Sequence, residues 1–130
     1  MGNITNWFLK NSHLLISLVI ILPTSIVYGS PFILSKQLNI KVNTIDLSNL
    51  LKANMFLYLG ISTVWILGIS KLSYWKRATE LNILFMLSLG IGRAVSMLLD
   101  GLPTSGFIFG IIAEFTIGLY SMYQLKKYSV

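Results

Sequence analysis

Two oppositely charged residues, Arg93 and Glu114, lie inside long apolar stretches of the sequence. An ionised side chain near the centre of a bilayer costs about 2.5–3.5 kcal/mol, so such residues usually face a partner or a wet cavity. If the chain turns back at Leu102–Pro103, position 93 falls opposite position 112 or 113, close to Glu114. The spacing therefore predicts a charge pair buried between two antiparallel membrane helices.

Other polar residues recur on the helix faces near this pair. Ser96 and Asp100 follow Arg93 at i+3 and i+7, which places all three on one face of a helix. Asn54 and Tyr58 share a face of an earlier helix, with a lysine at its outer end. The residues that we predict to line one outer-facing ligand pocket are Lys52, Asn54, Tyr58, Arg93, Ser96, Asp100 and Glu114. The alternative is a structural clasp in which the charge pair only fixes helix register.

The composition is typical of a chain embedded in a membrane. The hydrophobic fraction is 55%, the charged fraction is 11% and the mean hydropathy is +0.75, whereas a soluble domain carries about 25% charged residues. The length suits a single domain, 1–130. The net charge of +6 comes from residues at the ends of apolar stretches, a pattern that indicates membrane orientation and argues against nucleic-acid binding.

Four apolar stretches are long enough to cross a bilayer, which takes about 20 residues per helix. They are 13–30, 53–70, 79–99 and 105–125. The first resembles a signal peptide, but three further spans favour a retained helix. We therefore predict an all-α membrane protein, a four-transmembrane-helix bundle with an extended outer loop between helices 1 and 2.

The loop of residues 31–49 carries its own pattern. Leu38, Ile40 and Val42 alternate with polar residues, which is the spacing of a strand. We predict an extended flap across the outer mouth of the bundle, with a solvated loop as the alternative. Thr44 or Asp46 can cap a helix that begins just after them.

The distribution of basic residues predicts the orientation of the chain. The side that holds both termini has six: Lys10, Lys71, Lys76, Arg77, Lys126 and Lys127. The other side has three: Lys36, Lys41 and Lys52. Because basic residues are enriched in cytoplasmic loops, six against three favours both termini in the cytoplasm.

A stripe of small residues runs along the fourth span. Gly106, Gly110 and Gly118 recur with Glu114 every four residues, and small residues at this spacing let helices approach closely in lipid. The stripe is predicted to pack against the third span, with Gly110 near Ser96. It is also a candidate contact for a homo-oligomer.

Several kinds of chemistry find no support in the sequence. It contains no cysteine and one histidine, His13, which lies at the inner end of the first span and is expected at the interface. A multi-ligand transition-metal site is therefore not expected. There is no glycine-rich phosphate loop and no His-Glu-x-x-His motif. We predict no catalytic residue, no metal and no cofactor, and favour a role other than catalysis.

Two motifs resemble a known family. Residues 46–55, DLSNLLKANM, resemble its motif at the entry to the second span, with Lys52 in place of the usual arginine. Gly92-Arg93, Ser96, Asp100-Gly101, Pro103 and Glu114 resemble its second motif. The family is the small bacterial four-span membrane group known as domain of unknown function 4345. The resemblance implies this architecture but no substrate. Helix count and hairpin layout are also distantly similar to the DoxX-like four-helix membrane proteins.

Together these features predict an integral protein of the bacterial cytoplasmic membrane. We expect its polar pocket to bind a small amphipathic molecule, an anionic molecule or a lipid. The alternatives are a structural or accessory subunit held together by the Arg93–Glu114 clasp, a proton-coupled transporter and a membrane enzyme.

Overall fold

The computed structural model describes residues 2–129, which form five helices joined by short connections. They are α1 (Gly2–Gly29), α2 (Pro31–Leu38), α3 (Ile45–Ser70), α4 (Leu72–Asp100) and α5 (Ser105–Tyr128). All except α2 are long and apolar enough to cross a membrane. The chain is thus a multi-pass membrane protein with the predicted four membrane helices.

The helices extend beyond the apolar stretches seen in the sequence. α1, α3 and α4 begin roughly a turn or more before the predicted spans, at Gly2, Ile45 and Leu72. Hydropathy marks only the residues suited to hydrocarbon, whereas the backbone hydrogen-bond ladder continues into the interface.

The predicted extended flap is wrong for its first half, which is α2. Ser30 caps this helix by accepting a hydrogen bond from the Ile33 backbone N–H, and Pro31 occupies the first helical position, where its missing N–H is tolerated. α2 ends at Asn39, which takes a left-handed conformation with φ of 55°. Only residues 39–43 lack helical structure before Thr44, whose Oγ1 caps α3.

The four long helices form a ring in the order α1, α3, α4, α5. The α1–α3, α3–α4 and α4–α5 contacts are extensive, and α5 returns to α1 through a smaller contact. At the centre, the Phe85 ring lies edge-on to Tyr58 at 5.1 Å and to Trp65 at 5.5 Å. Such aromatic pairs contribute about 0.5–1.5 kcal/mol beyond their buried area.

The small-residue stripe on α5 packs mainly within the chain. A methyl group added at Gly118 would approach Leu87 Cδ2 of α4 to 2.6 Å, so the predicted close approach of α4 and α5 is confirmed there. Gly106 faces Leu38 at the end of α2 instead. A methyl group added at Gly110 would come within 4 Å of Glu114 and of no α4 residue, so Gly110 does not pack closely against Ser96. A homo-oligomer through Gly106, Gly110 and Gly118 stays a prediction.

Candidate functional site

The predicted charge pair is present and joins three helices. Arg93 Nε on α4 donates a hydrogen bond to Glu114 Oε1 on α5 at 2.9 Å. Arg93 Nη2 donates to the Tyr28 hydroxyl at the end of α1, also at 2.9 Å. The guanidinium carbon lies 5.2 Å from the centre of the Phe107 ring, within range of a cation–π contact. The hairpin register inferred from the turn at Leu102–Pro103 therefore holds at this pair.

A cavity of about 220 Å³ adjoins this cluster. Its walls come chiefly from the C-terminal half of α1 and the first half of α5, with Tyr58 of α3 and Arg93 of α4 on the remaining side. The apolar part of the lining includes Ile20, Val27, Met86, Ala113 and Ile117. Gln37 and Leu38 of α2 complete one end. The cavity thus combines apolar walls with a small polar group, the usual character of a ligand site.

The Glu114 carboxylate is only partly satisfied. The residue is 6% exposed, and among residues 2–129 its Oε2 has no hydrogen-bond partner. A buried polar atom without a partner costs about 1–3 kcal/mol, and more where the group is charged. Glu114 Oε2 is one of six buried side-chain atoms without a partner in residues 2–129, and its position beside the cavity makes it a candidate acceptor for a bound donor.

The structure brings three of the seven predicted site residues together. Tyr58, Arg93 and Glu114 all line the cavity, and Tyr58 is 2% exposed. The prediction for this part of the site is therefore consistent with the geometry.

Lys52 and Asn54 lie outside the cavity. Lys52 is exposed, donates a hydrogen bond to Ser48 Oγ at 2.8 Å and lines a separate shallow groove at the N-terminal end of α3. Tyr58 lies six positions after Lys52. At 100° per residue, this difference puts the two side chains on different sides of α3. Asn54 lines a different groove between α3 and α4, beside Ser88 and Leu81.

Ser96 and Asp100 also lie apart from the cavity. Ser96 Oγ donates to Asp100 Oδ2 at 2.9 Å, and both residues are exposed near the end of α4. They share a face with Arg93, but a rise of 1.5 Å per residue carries Asp100 about 10 Å beyond it. The helical spacing therefore grouped Arg93 with two residues of the same face that lie beyond the end of the cavity.

Tyr28 is the site residue that sequence reasoning missed. It lies at the very end of the first span, where a tyrosine is ordinarily read as an interfacial residue. The signal available was its spacing from Ser17, Ile21 and Ser25, which are buried on the same side of α1. Without knowing which helix neighbours α1, that spacing does not identify Arg93 as its partner.

A second polar cluster, also missed, lies at the other end of the bundle. Ser17 Oγ donates to Asn82 Oδ1 at 3.0 Å, and Asn82 Nδ2 donates to Ser121 Oγ at 2.9 Å, which links α1, α4 and α5. His13 Nε2 and Thr79 Oγ1 are 2.8 Å apart. His13 is fully buried among the helices, and its predicted position at the membrane interface stays a prediction. Hydrogen bonds between membrane helices are worth about 0.6 kcal/mol each on average.

At the same end of the bundle, side-chain hydrogen bonds join α1 to α5. Gln124 Nε2 donates to the Leu9 carbonyl at 2.7 Å and to Ser12 Oγ at 2.9 Å. Ser12 Oγ is also 2.6 Å from the Tyr120 hydroxyl. α1 and α5 are therefore joined by polar contacts near the termini and are separated by the cavity in the opposite half.

No group of three or more His, Cys, Asp or Glu side chains within residues 2–129 is arranged to hold a metal ion.

The family model described as domain of unknown function (DUF4345) matches residues 8–125. The chain belongs to this family. The match includes most of the first helix, which lies before both of the motifs described above. It does not extend to the DoxX-like proteins. No curated protein and no solved structure matches the chain. The DUF4345 description assigns no activity, so a function must be argued from the site.

Proposed function

We propose that this DUF4345 protein binds a small amphipathic molecule or lipid in the cavity between α1 and α5. The observation that carries the proposal is a cavity with apolar walls and a polar cluster at its side, in which buried Glu114 Oε2 lacks a partner. Apolar walls suit a hydrocarbon portion, and Arg93, Glu114 and Tyr28 suit a polar head.

The size of the cavity supports a ligand that is only partly enclosed. Its volume of about 220 Å³ is below the range of about 300–1,000 Å³ that encloses a drug-sized ligand. Phe109, which lines the cavity, is 70% exposed on the outside of the bundle. A ligand can therefore place its head near Arg93 while its tail lies among lipid chains.

We further propose that the protein resides in the bacterial cytoplasmic membrane with both termini inside, so that the cavity lies in the outer half. The excess of basic residues near Lys10, Lys71–Arg77 and Lys126–Lys127 supports this orientation. The cavity is at the opposite end from these residues, because its α1 wall begins only at Ile20.

Native mass spectrometry of protein purified in mild detergent tests the binding role. Wild-type protein is expected to carry a bound molecule, and Gly110→Leu is expected to lose it, because Gly110 lines the cavity and a Cβ added there would lie 3.9 Å from Glu114 Oε1, without a clash. Gly60→Leu is the matched control, since Gly60 is exposed and has open space around it. A wild-type spectrum without bound mass, unchanged by Gly110→Leu, would contradict the proposal.

A structural role is the second candidate, and a specific observation favours it. Arg93 connects α4 to both α5 and α1 through its two hydrogen bonds. The cluster can therefore fix the register of three helices whether or not a ligand is bound, as an accessory or structural subunit would require.

A further inference from the structure

We infer that the cavity recognises the head group of an uncharged amphiphile that carries a hydroxyl, and that it discriminates against anionic and cationic heads. The inference rests on the proposed binding function and adds the chemical class of the ligand.

The first argument is the charge balance around the cavity. Arg93 and Glu114 neutralise one another at 2.9 Å, and Lys52, which was expected to add positive charge, lies in a separate groove. No other Lys, Arg, Asp or Glu lines the cavity in the part of the chain that the structure describes. An anionic head would have to approach the Glu114 carboxylate, and a cationic head would have to approach Arg93. Because the pair is already neutral, either head group would leave one net charge without a counter-charge in a low-dielectric site.

The second argument is the pattern of unfilled hydrogen-bond capacity. Glu114 Oε2 is buried and needs a donor. Arg93 gives one N–H to Glu114 and one to Tyr28, although a guanidinium carries five N–H donors. A hydroxyl is both a donor and an acceptor, so one group can donate to Glu114 Oε2 and accept from Arg93. A phosphate dianion has no donor and satisfies only Arg93, whereas an ammonium has no acceptor and satisfies only Glu114.

The approach to Glu114 requires only a small adjustment of its side chain. Glu114 lines the cavity, but its Oε2 atom is itself covered. The terminal torsion of a glutamate is broad and has no sharp staggered minima. A small rotation about it moves both oxygens together, so it can uncover Oε2 only within the range that the Oε1 bond to Arg93 allows.

The route to the cavity runs through the bilayer. α2 covers the end near the water, where Leu38 lies against Gly106 of α5 and Gln37 joins the lining. The smaller α1–α5 contact is fastened near the termini by Gln124 and Ser12. The remaining opening is the outer half of the α1–α5 seam, beside the exposed Phe109 ring. A molecule dissolved in the membrane can enter there without leaving the lipid.

Three probes with the same tail test the head-group preference: deuterated 1-dodecanol, dodecyl phosphate and dodecylamine. Each is added to protein in phosphatidylcholine nanodiscs, and retention is measured by mass spectrometry after washing. Wild-type protein is expected to retain dodecanol at least about tenfold better than either charged probe, since its hydroxyl satisfies both Glu114 and Arg93 without adding a charge.

Glu114→Gln provides the sharper arm of the test. The amide removes the negative charge and offers an N–H donor, so Arg93 is left without its counter-charge. The ratio of dodecanol to dodecyl phosphate retained is expected to fall at least about tenfold. Glu80→Gln is the matched control, because Glu80 is exposed on α4 and does not line the cavity. It is expected to leave the ratio unchanged.

The outcomes separate this inference from the binding role itself. Wild-type preference for either charged probe, or a ratio that Glu114→Gln does not change, overturns the head-group assignment alone. Equal retention of all three probes, abolished by Gly110→Leu, also overturns it and leaves the cavity as a binding site. If wild type retains no probe and carries no co-purified molecule, both proposals fail. Should Glu114→Gln not fold, the wild-type comparison of the three probes still decides.

Discussion

At the scale of single residues, the site depends on one carboxylate, Glu114, of which only one oxygen accepts a hydrogen bond. Glu114 gives Oε1 to Arg93, and its Oε2 is buried without a partner in the described chain. Tyr28 completes the other side of Arg93 by accepting a hydrogen bond from Nη2. The guanidinium is thus held by two acceptors and by the Phe107 ring, which fix its orientation at the wall of the cavity.

Tyr28→Phe tests this positioning. The change removes one hydroxyl that accepts a charge-assisted hydrogen bond and keeps the ring that lies 5.5 Å from Tyr58. We expect the free energy of unfolding in detergent to fall by about 0.5–2 kcal/mol, the range for polar contacts between membrane helices. Tyr74→Phe, at an exposed position on α4, is the control. Equal stability of the two variants would show that the Tyr28 hydroxyl contributes nothing.

At the scale of helices, the charge pair and the glycine contacts act on the same interface. Gly118 lets α5 approach Leu87 of α4 closely, and four residues earlier Glu114 reaches Arg93 on α4. Small residues supply close van der Waals contact in lipid, where no hydrophobic force drives helices together. The ion pair supplies register, because sliding either helix by a turn would leave two charges unpaired in an apolar environment.

A double-mutant cycle measures how much of this interface depends on the charges. Arg93→Leu or Glu114→Leu alone is expected to lower the free energy of unfolding by about 3–5 kcal/mol, because each leaves an uncompensated buried charge. The double variant, which removes both charges, is expected to recover most of that loss, measured by thermal or denaturant unfolding in detergent. A double variant as unstable as the single ones would contradict a clasp role. Recovery of stability without recovery of ligand retention would assign the pair to binding as well.

At the scale of the whole molecule, two polar clusters lie at opposite ends of an aromatic core. The cavity cluster lies near α2, and the His13–Thr79 and Ser17–Asn82–Ser121 contacts lie toward the termini. Tyr58, Trp65 and Phe85 pack between them. The contacts toward the termini join α1, α4 and α5, and we infer that they hold the bundle closed while the α1–α5 seam stays accessible beside the cavity.

The orientation of the molecule can be tested with single cysteines, because the chain has none of its own. Asn43→Cys lies in the exposed segment before α3, and Ser73→Cys lies at the exposed start of α4. A membrane-impermeant maleimide is expected to label Asn43→Cys in intact cells and Ser73→Cys only after permeabilisation, because basic loops stay in the cytoplasm. Unlabelled wild type is the control. The reverse pattern would place the cavity in the cytoplasmic half.

The sequence by itself determined the four membrane helices and the Arg93–Glu114 pair. Both follow from local information, namely the length of the apolar stretches and the short turn that sets the register of α4 against α5. Only the tertiary structure decided that Tyr28 joins this pair, that Lys52 does not, and that Asn82 links α1 to α5. The physical reason is that membrane helices are apolar on all sides, so hydropathy does not say which face of a helix meets which neighbour. The rotation of each helix is fixed by packing and buried hydrogen bonds between residues far apart in the chain.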